Sequence, residues 1–120
     1  MFTARTDISE QMVEDLLCNA MESGGYGDFV IVGYEPAGIR EECEYPHFEV
    51  PFKGGTILLR DKYGDSKEVY RLDRAGLQRG LDVMAEKYKS HMSDFVNERD
   101  DAITATVFLQ CALLGEIVYG

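Results

Sequence analysis

Apolar residues recur at Ile8, Met12, Val13, Leu16, Leu17, Ala20 and Met21, the alternating three-and-four spacing of one face of an amphipathic helix. Asp7, with Glu10 three positions on, reads as a capping pair whose carboxylate accepts from the free N–H groups of the first turn. Gly24-Gly25 supplies the stop, because glycine adopts the left-handed conformation past a last turn at little cost. A first helix is therefore predicted over residues 7–23. Phe29-Val30-Ile31-Val32 then reads as a strand bounded by Gly27 and Gly33.

The periodicity fails over residues 34–47, where Pro36, Gly38 and Pro46 punctuate the chain and Glu41, Glu42 and Glu44 charge it. This stretch reads as an exposed loop with room for a short helical turn. Residues 48–52 read as a short edge strand interrupted by Pro51. Thr56-Ile57-Leu58-Leu59-Arg60 and Glu68-Val69-Tyr70-Arg71-Leu72 flank a polar turn containing Gly64, and so predict a hairpin. Asp73 caps a second helix with Leu77, Leu81, Met84, Ala85 and Tyr88 on its inner face. Gly76 and Gly80 weaken that helix or let it lie close against a neighbour.

After a polar break over residues 90–99, Asp100 or Asp101 caps a last helix running from Ala102 to about Tyr119. Ile103, Val107, Phe108, Leu109, Cys111, Ala112, Leu113, Leu114, Ile117 and Val118 make it apolar almost all round, the mark of a central core element or an oligomer interface. The pattern predicts one α+β domain over residues 1–120. Its small antiparallel sheet of three to four strands packs against about three helices, in the order α-β-β-β-β-α-α.

Charge changes the picture more than composition does. A 45 % hydrophobic content suffices for a core, and no apolar run approaches the roughly 20 residues of a membrane span. Residues 1–50, however, hold eleven acids against two bases, a net of −9, whereas residues 51–120 hold eleven acids against ten bases, a net of −1. Such a concentration costs self-repulsion and opposes direct contact with nucleic acid or an anionic membrane. The expected partner is a protein with a basic surface. Cys18, Cys43 and Cys111 are odd in number and widely spaced, and the first residues lack a secretion signal's apolar stretch. Both features fit reduced thiols in a cytoplasm.

The acids themselves are the candidate site. Glu10, Glu14, Asp15 and Glu22 lie off the apolar face of the first helix, where with Asp7 they average about one charge per 5 Å of rise. Duplex DNA carries one phosphate per roughly 3.4 Å of each strand. Asp28, Glu35, Glu41, Glu42, Glu44 and Glu49 close the gap if the loop folds beside the helix. The result would be a surface that imitates a phosphate backbone; the simpler reading is a solvated acidic face. Tyr26, Tyr34 and Tyr45 stand among the carboxylates, and tyrosine beside carboxylate suits an arginine-rich partner.

Other chemistries fit poorly. Residues 61–66 lack the donor spacing of a calcium loop, with Tyr63 at the third position and Gly64 at the fourth. Cys43 and His47 form one C-x3-H without the second pair that zinc requires. Gly24-Gly25-Tyr26-Gly27 follows a helix rather than opening one, unlike a phosphate-binding loop. No catalytic residue, cofactor or metal is expected, although a thiol enzyme built on Cys43 and His47 is a third class to test.

The segment from Asp100-Asp101-Ala102 through Phe108-Leu109-Gln110-Cys111-Ala112-Leu113-Leu114-Gly115-Glu116-Ile117-Val118-Tyr119-Gly120 resembles the C-terminal end of a family of small acidic proteins encoded by bacteriophages and prophages. Gly54-Gly55-Thr56 and Leu72-Asp73 fit the same pattern. The resemblance implies no active site. It implies an inhibitor of host defence acting in the cytoplasm of an infected bacterium, such as an anti-CRISPR protein that blocks DNA binding by a Cas effector through DNA-mimic contacts. Such a protein would be a monomer or a small homo-oligomer. The alternative is a phage structural, assembly or host-takeover protein acting through the apolar last helix.

Overall fold

The computed structural model describes residues 8–22, 29–62, 68–99 and 101–118. Helix α1 spans Glu10–Glu22 and buries Val13, Leu16, Leu17, Ala20 and Met21, the face the periodicity predicts. Its cap is Ser9, whose hydroxyl accepts the Met12 N–H at 3.2 Å; Asp7 and the Gly24-Gly25 stop lie outside the described residues. Strand β1 (Phe29–Glu35) runs past Gly33 rather than ending there, with a bulge between Ile31 and Gly33. It pairs antiparallel with β2 (Thr56–Asp61), which pairs antiparallel with β3 (Val69–Leu72), in sheet order β1-β2-β3.

The expected fourth strand at residues 48–52 is helical instead. A 3-10 turn at Ile39–Glu42 is followed by the short helix α2 (Pro46–Glu49) and a second 3-10 turn, Val50–Lys53. Pro46 and Pro51 each sit in the first turn of their helix, where a missing N–H costs nothing, so proline here starts helices rather than interrupting a strand. The excursion is anchored from beneath by Ile39, Val50 and Pro51, all buried. Gly55 closes it: a Cβ there would lie 2.7 Å from the Glu35 carbonyl oxygen and 2.7 Å from the Val50 side chain.

Helix α3 spans Arg74–Lys87, and Asp73 accepts the Gly76 N–H at 2.8 Å. Leu77, Leu81 and Met84 are buried and Tyr88 is half-buried, but Ala85, expected on the inner face, is exposed. The expected polar break is largely another helix, α4 (Lys89–Val96), which turns Phe95 inward and ends at Asn97. The last helix, α5, spans Ala102–Leu114. Asp101 accepts the Thr104 N–H at 3.0 Å, and Gly115 at φ 78° stops the helix earlier than expected. Beyond it the Ile117 N–H donates to the Tyr88 hydroxyl and the Val118 N–H to the buried Gln110. The architecture is α+β with five helices, in the order α-β-α-β-β-α-α-α.

Helix α5 is the core. It packs against α1, α3, α4 and β3, and residues 107–112 are all buried. A helix with no polar side needs neighbours on every side, and it has them. The closest is α3, where Gly80 lies against Ala112: a Cβ at residue 80 would stand 2.8 Å from that of Ala112. Arg79 donates to the Ala112 carbonyl at 3.2 Å beside this crossing. Gly80→Leu is therefore expected to cost about 3 kcal/mol through overpacking, whereas Ala85→Leu on the exposed side of α3 changes stability by less than about 0.5 kcal/mol. Urea unfolding midpoints of the two variants check this.

Candidate functional site

The amphipathic pattern of α1 fixes which acids face outward. With five apolar positions inside, Glu10, Asp15 and Glu22 are exposed and Glu14 is half-buried. Asp15 accepts from the Gln11 side chain one turn earlier at 2.8 Å, an interaction that orients the carboxylate and leaves its charge in place. Glu22 sits in the last turn, where the helix dipole disfavours an anion and no basic residue of the helix offsets it.

What offsets Glu22 comes from the excursion. His47, on α2, lies with its Nε2 2.7 Å from the Glu22 carboxylate. An ionised carboxylate can only accept, so Nε2 carries the proton. The Cys18 thiol donates to the same oxygen at 3.4 Å. These two donors, His47 first, hold the Glu22 carboxyl below its ordinary 4.5. Helix α2 thus packs against α1, and the loop acids that the sequence left unplaced arrive beside the helical ones.

The electrostatics around α2 record this convergence. The Tyr45 hydroxyl is pushed up, first by the charge of Glu44 and its hydrogen bond, then by burial, and then by the charges of Glu22 and Glu49. Glu49 reaches back to accept the Tyr45 N–H, which ties α2 at its start. Tyr45 is half exposed and stacks on Phe48 at 5.8 Å, with His47 edge-on to Phe48 at 5.0 Å. On the α1 side, the Cys18 thiol is pushed up to about 11, mainly by burial and the bond to Glu22, and further by the charges of Glu22, Asp15 and Glu14. One surface therefore holds Glu14, Asp15, Glu22, Glu44, Glu49 and Tyr45.

Other predicted positions separate from it. Glu10 pairs with Arg74 of α3, and Glu35 pairs with Arg71 of β3, so both charges are neutralised by the support. Glu41 and Glu42 are exposed on the first 3-10 turn, beside Arg40. Asp28 lies outside the described residues. The residue missed as a member of the surface is His47, read as a loop histidine; the signal available was its place three residues after Glu44 and two before Glu49.

Cys43 and His47 do not meet as a nucleophile and base. The Cys43 thiol donates to the Ile39 carbonyl at 3.5 Å, and burial, then Glu49, pushes its pKa up, away from a reactive thiolate. Among the described residues no group of three or more His, Cys, Asp and Glu is placed to hold a metal ion. Among the same residues no helix is long and apolar enough to cross a membrane. No protein-family model, curated protein or solved structure matches this chain.

Because Glu22 titrates lower in the folded chain than in the unfolded one, the stabilisation it gives is present above its ordinary range and is lost as pH falls through its lowered value. Glu22→Gln should therefore lower the melting temperature at about pH 6 and converge on the parent protein below about pH 3.5. Thermal melts of both proteins across that interval check the sign.

Proposed function

We propose that this chain is a non-enzymatic inhibitor that occupies the basic DNA-binding surface of a bacterial defence protein, of the CRISPR effector class, in the manner of a DNA mimic. The observation that supports the reading is the Glu22–His47 contact, which joins the carboxylates of the excursion to those of α1. Five carboxylates on α1 and around α2 then act together on a partner, with Tyr45 among them to lie against a guanidinium. Rigid backing matters here, since fixed charges bind without first being ordered. Glu22 at the negative end of its own helix is a placement that folding alone does not favour, and binding a cation gives it a purpose.

The alternative, an assembly protein acting through its apolar last helix, has less to work with. Between Thr104 and Ala112 every residue of α5 except Thr106 is buried within the chain.

The proposal has a charge-specific test. Glu14, Asp15, Glu22 and Glu44 changed together to lysine should weaken effector binding at least about a hundredfold, and Glu10 and Glu35, already paired with arginines, should each matter less than about threefold when changed to glutamine. Binding of the parent should fall steeply between about 0.05 and 0.3 M salt, and competitor duplex DNA should displace it. Mobility shifts of DNA with a panel of purified effectors give the readout. Inhibition that survives the four lysines sinks the mechanism.

A further inference from the structure

The outward face of the sheet is apolar where an exposed antiparallel face is normally polar. The register puts Val30, Arg60 and Val69 side by side across the three strands, and the next outward row is Gly33, Leu58 and Arg71. Val30, Val32 and Val69 are 45 %, 47 % and 43 % exposed, three of the most exposed large apolar side chains among the described residues. Val32 is the added residue of the β1 bulge, which sets it beside this row. The opposite face, with Phe29, Ile57, Leu59 and Leu72, is buried in the core. No helix covers the outward side.

Charge on this face is ordered along the strands. Arg60 sits at one end and takes no part in the ion pairs found among the described residues. Glu35 lies opposite Thr56 at the other end, half exposed and bridged to Arg71. Between Thr56 and Arg60 the strand rises roughly 13 Å, with Leu58 midway. A surface with its anion at one end, its cation at the other and aliphatic groups between is complementary to itself when turned over end to end. That is the requirement for an isologous two-fold contact.

We propose that the outward sheet face is a homodimer interface, in which a second copy of this chain stacks face to face about a two-fold axis lying across the strands. The two three-stranded sheets form a sandwich with strands aligned to within about 30° and spaced about 10 Å apart. Each Arg60 then stands over the Glu35–Arg71 pair of the other copy, and Leu58, Val30, Val32 and Val69 of both copies fill the centre. The size of the face decides the strength. Three strands about 4.8 Å apart and roughly 17–20 Å long give a footprint on the order of 300 Å², below the ~800 Å² per partner of a standard stable interface. The dimer is therefore weak and concentration-dependent, with dissociation on the order of tens of micromolar. The acidic surface of α1 and α2 is built from other elements and takes no part in it.

Sedimentation of the whole chain over about 5–500 µM tests this. The weight-average mass should rise from monomer to dimer with concentration. Val69→Lys, at a position exposed enough to accept lysine, should weaken association at least about tenfold with an unchanged thermal melt. Arg60→Glu should weaken it comparably, and the double exchange Arg60→Glu with Glu35→Lys should restore it by reuniting opposite charges across the two-fold. The four lysine substitutions on α1 and α2 should leave it unchanged, which separates this interface from the inhibitory surface. A monomer at every concentration overturns the proposal, including the case in which Val69→Lys instead weakens binding to a different protein. Association unaffected by Val69→Lys assigns the dimer to another surface, and failure of the double exchange to restore it removes the two-fold described here.

Discussion

Everything in this molecule leans on the burial of α5. A helix of apolar residues with a threonine and a glutamine inside it is stable only if it is surrounded and those two polar groups are satisfied. Thr104 contributes its N–H to the Asp101 cap and its hydroxyl lies 3.4 Å from the His91 ring, while the Gln110 carbonyl receives the Val118 N–H. No buried side-chain polar atom among the described residues is left without a partner. Enclosing α5 dictates the rest: α1 and α3 must present apolar stripes, α3 must carry a glycine where it crosses Ala112, and the inner sheet face must be aliphatic and aromatic.

A support of that kind frees the first two-fifths of the chain from stabilising itself. The −9 of residues 1–50 is tolerated because half of α1 is anchored in the core, and the excursion after β1 is pinned by Ile39, Val50 and Pro51. Two of the acids are then neutralised by arginines of the support, and the others are left to act outward. The division is physical rather than compositional. Charges close to α3 and β3 are paired, and charges near the join of α1 and α2 are brought close to one another.

Local signals carried well from sequence to structure wherever neighbouring residues decide the outcome. Asp73 and Asp101 cap their helices because a carboxylate reaches an N–H three residues away without tertiary help. The hairpin of β2 and β3 follows from two β-branched and aromatic runs around a turn. The reading failed at residues 46–53, where proline was taken as a strand breaker although it also starts helices, and at residues 89–96. There Lys89-Ser90-His91-Met92-Ser93-Asp94 is polar enough to look like a break, and the helix is held mainly by Phe95 entering the core.

The sequence by itself determined an α+β chain with a capped amphipathic first helix, a hairpin, a buried last helix and a lopsided charge, because each rests on periodicity, caps or counting. Only the tertiary structure decided which carboxylates stay unneutralised, since Arg74 and Arg71 reach Glu10 and Glu35 across the fold. It also decided that His47 meets Glu22, and that the valines on the sheet face no helix. Those outcomes depend on which distant segments the backbone brings within a few ångströms of each other. No spacing along the chain encodes that, because the contact belongs to the packing around α5 rather than to any run of residues.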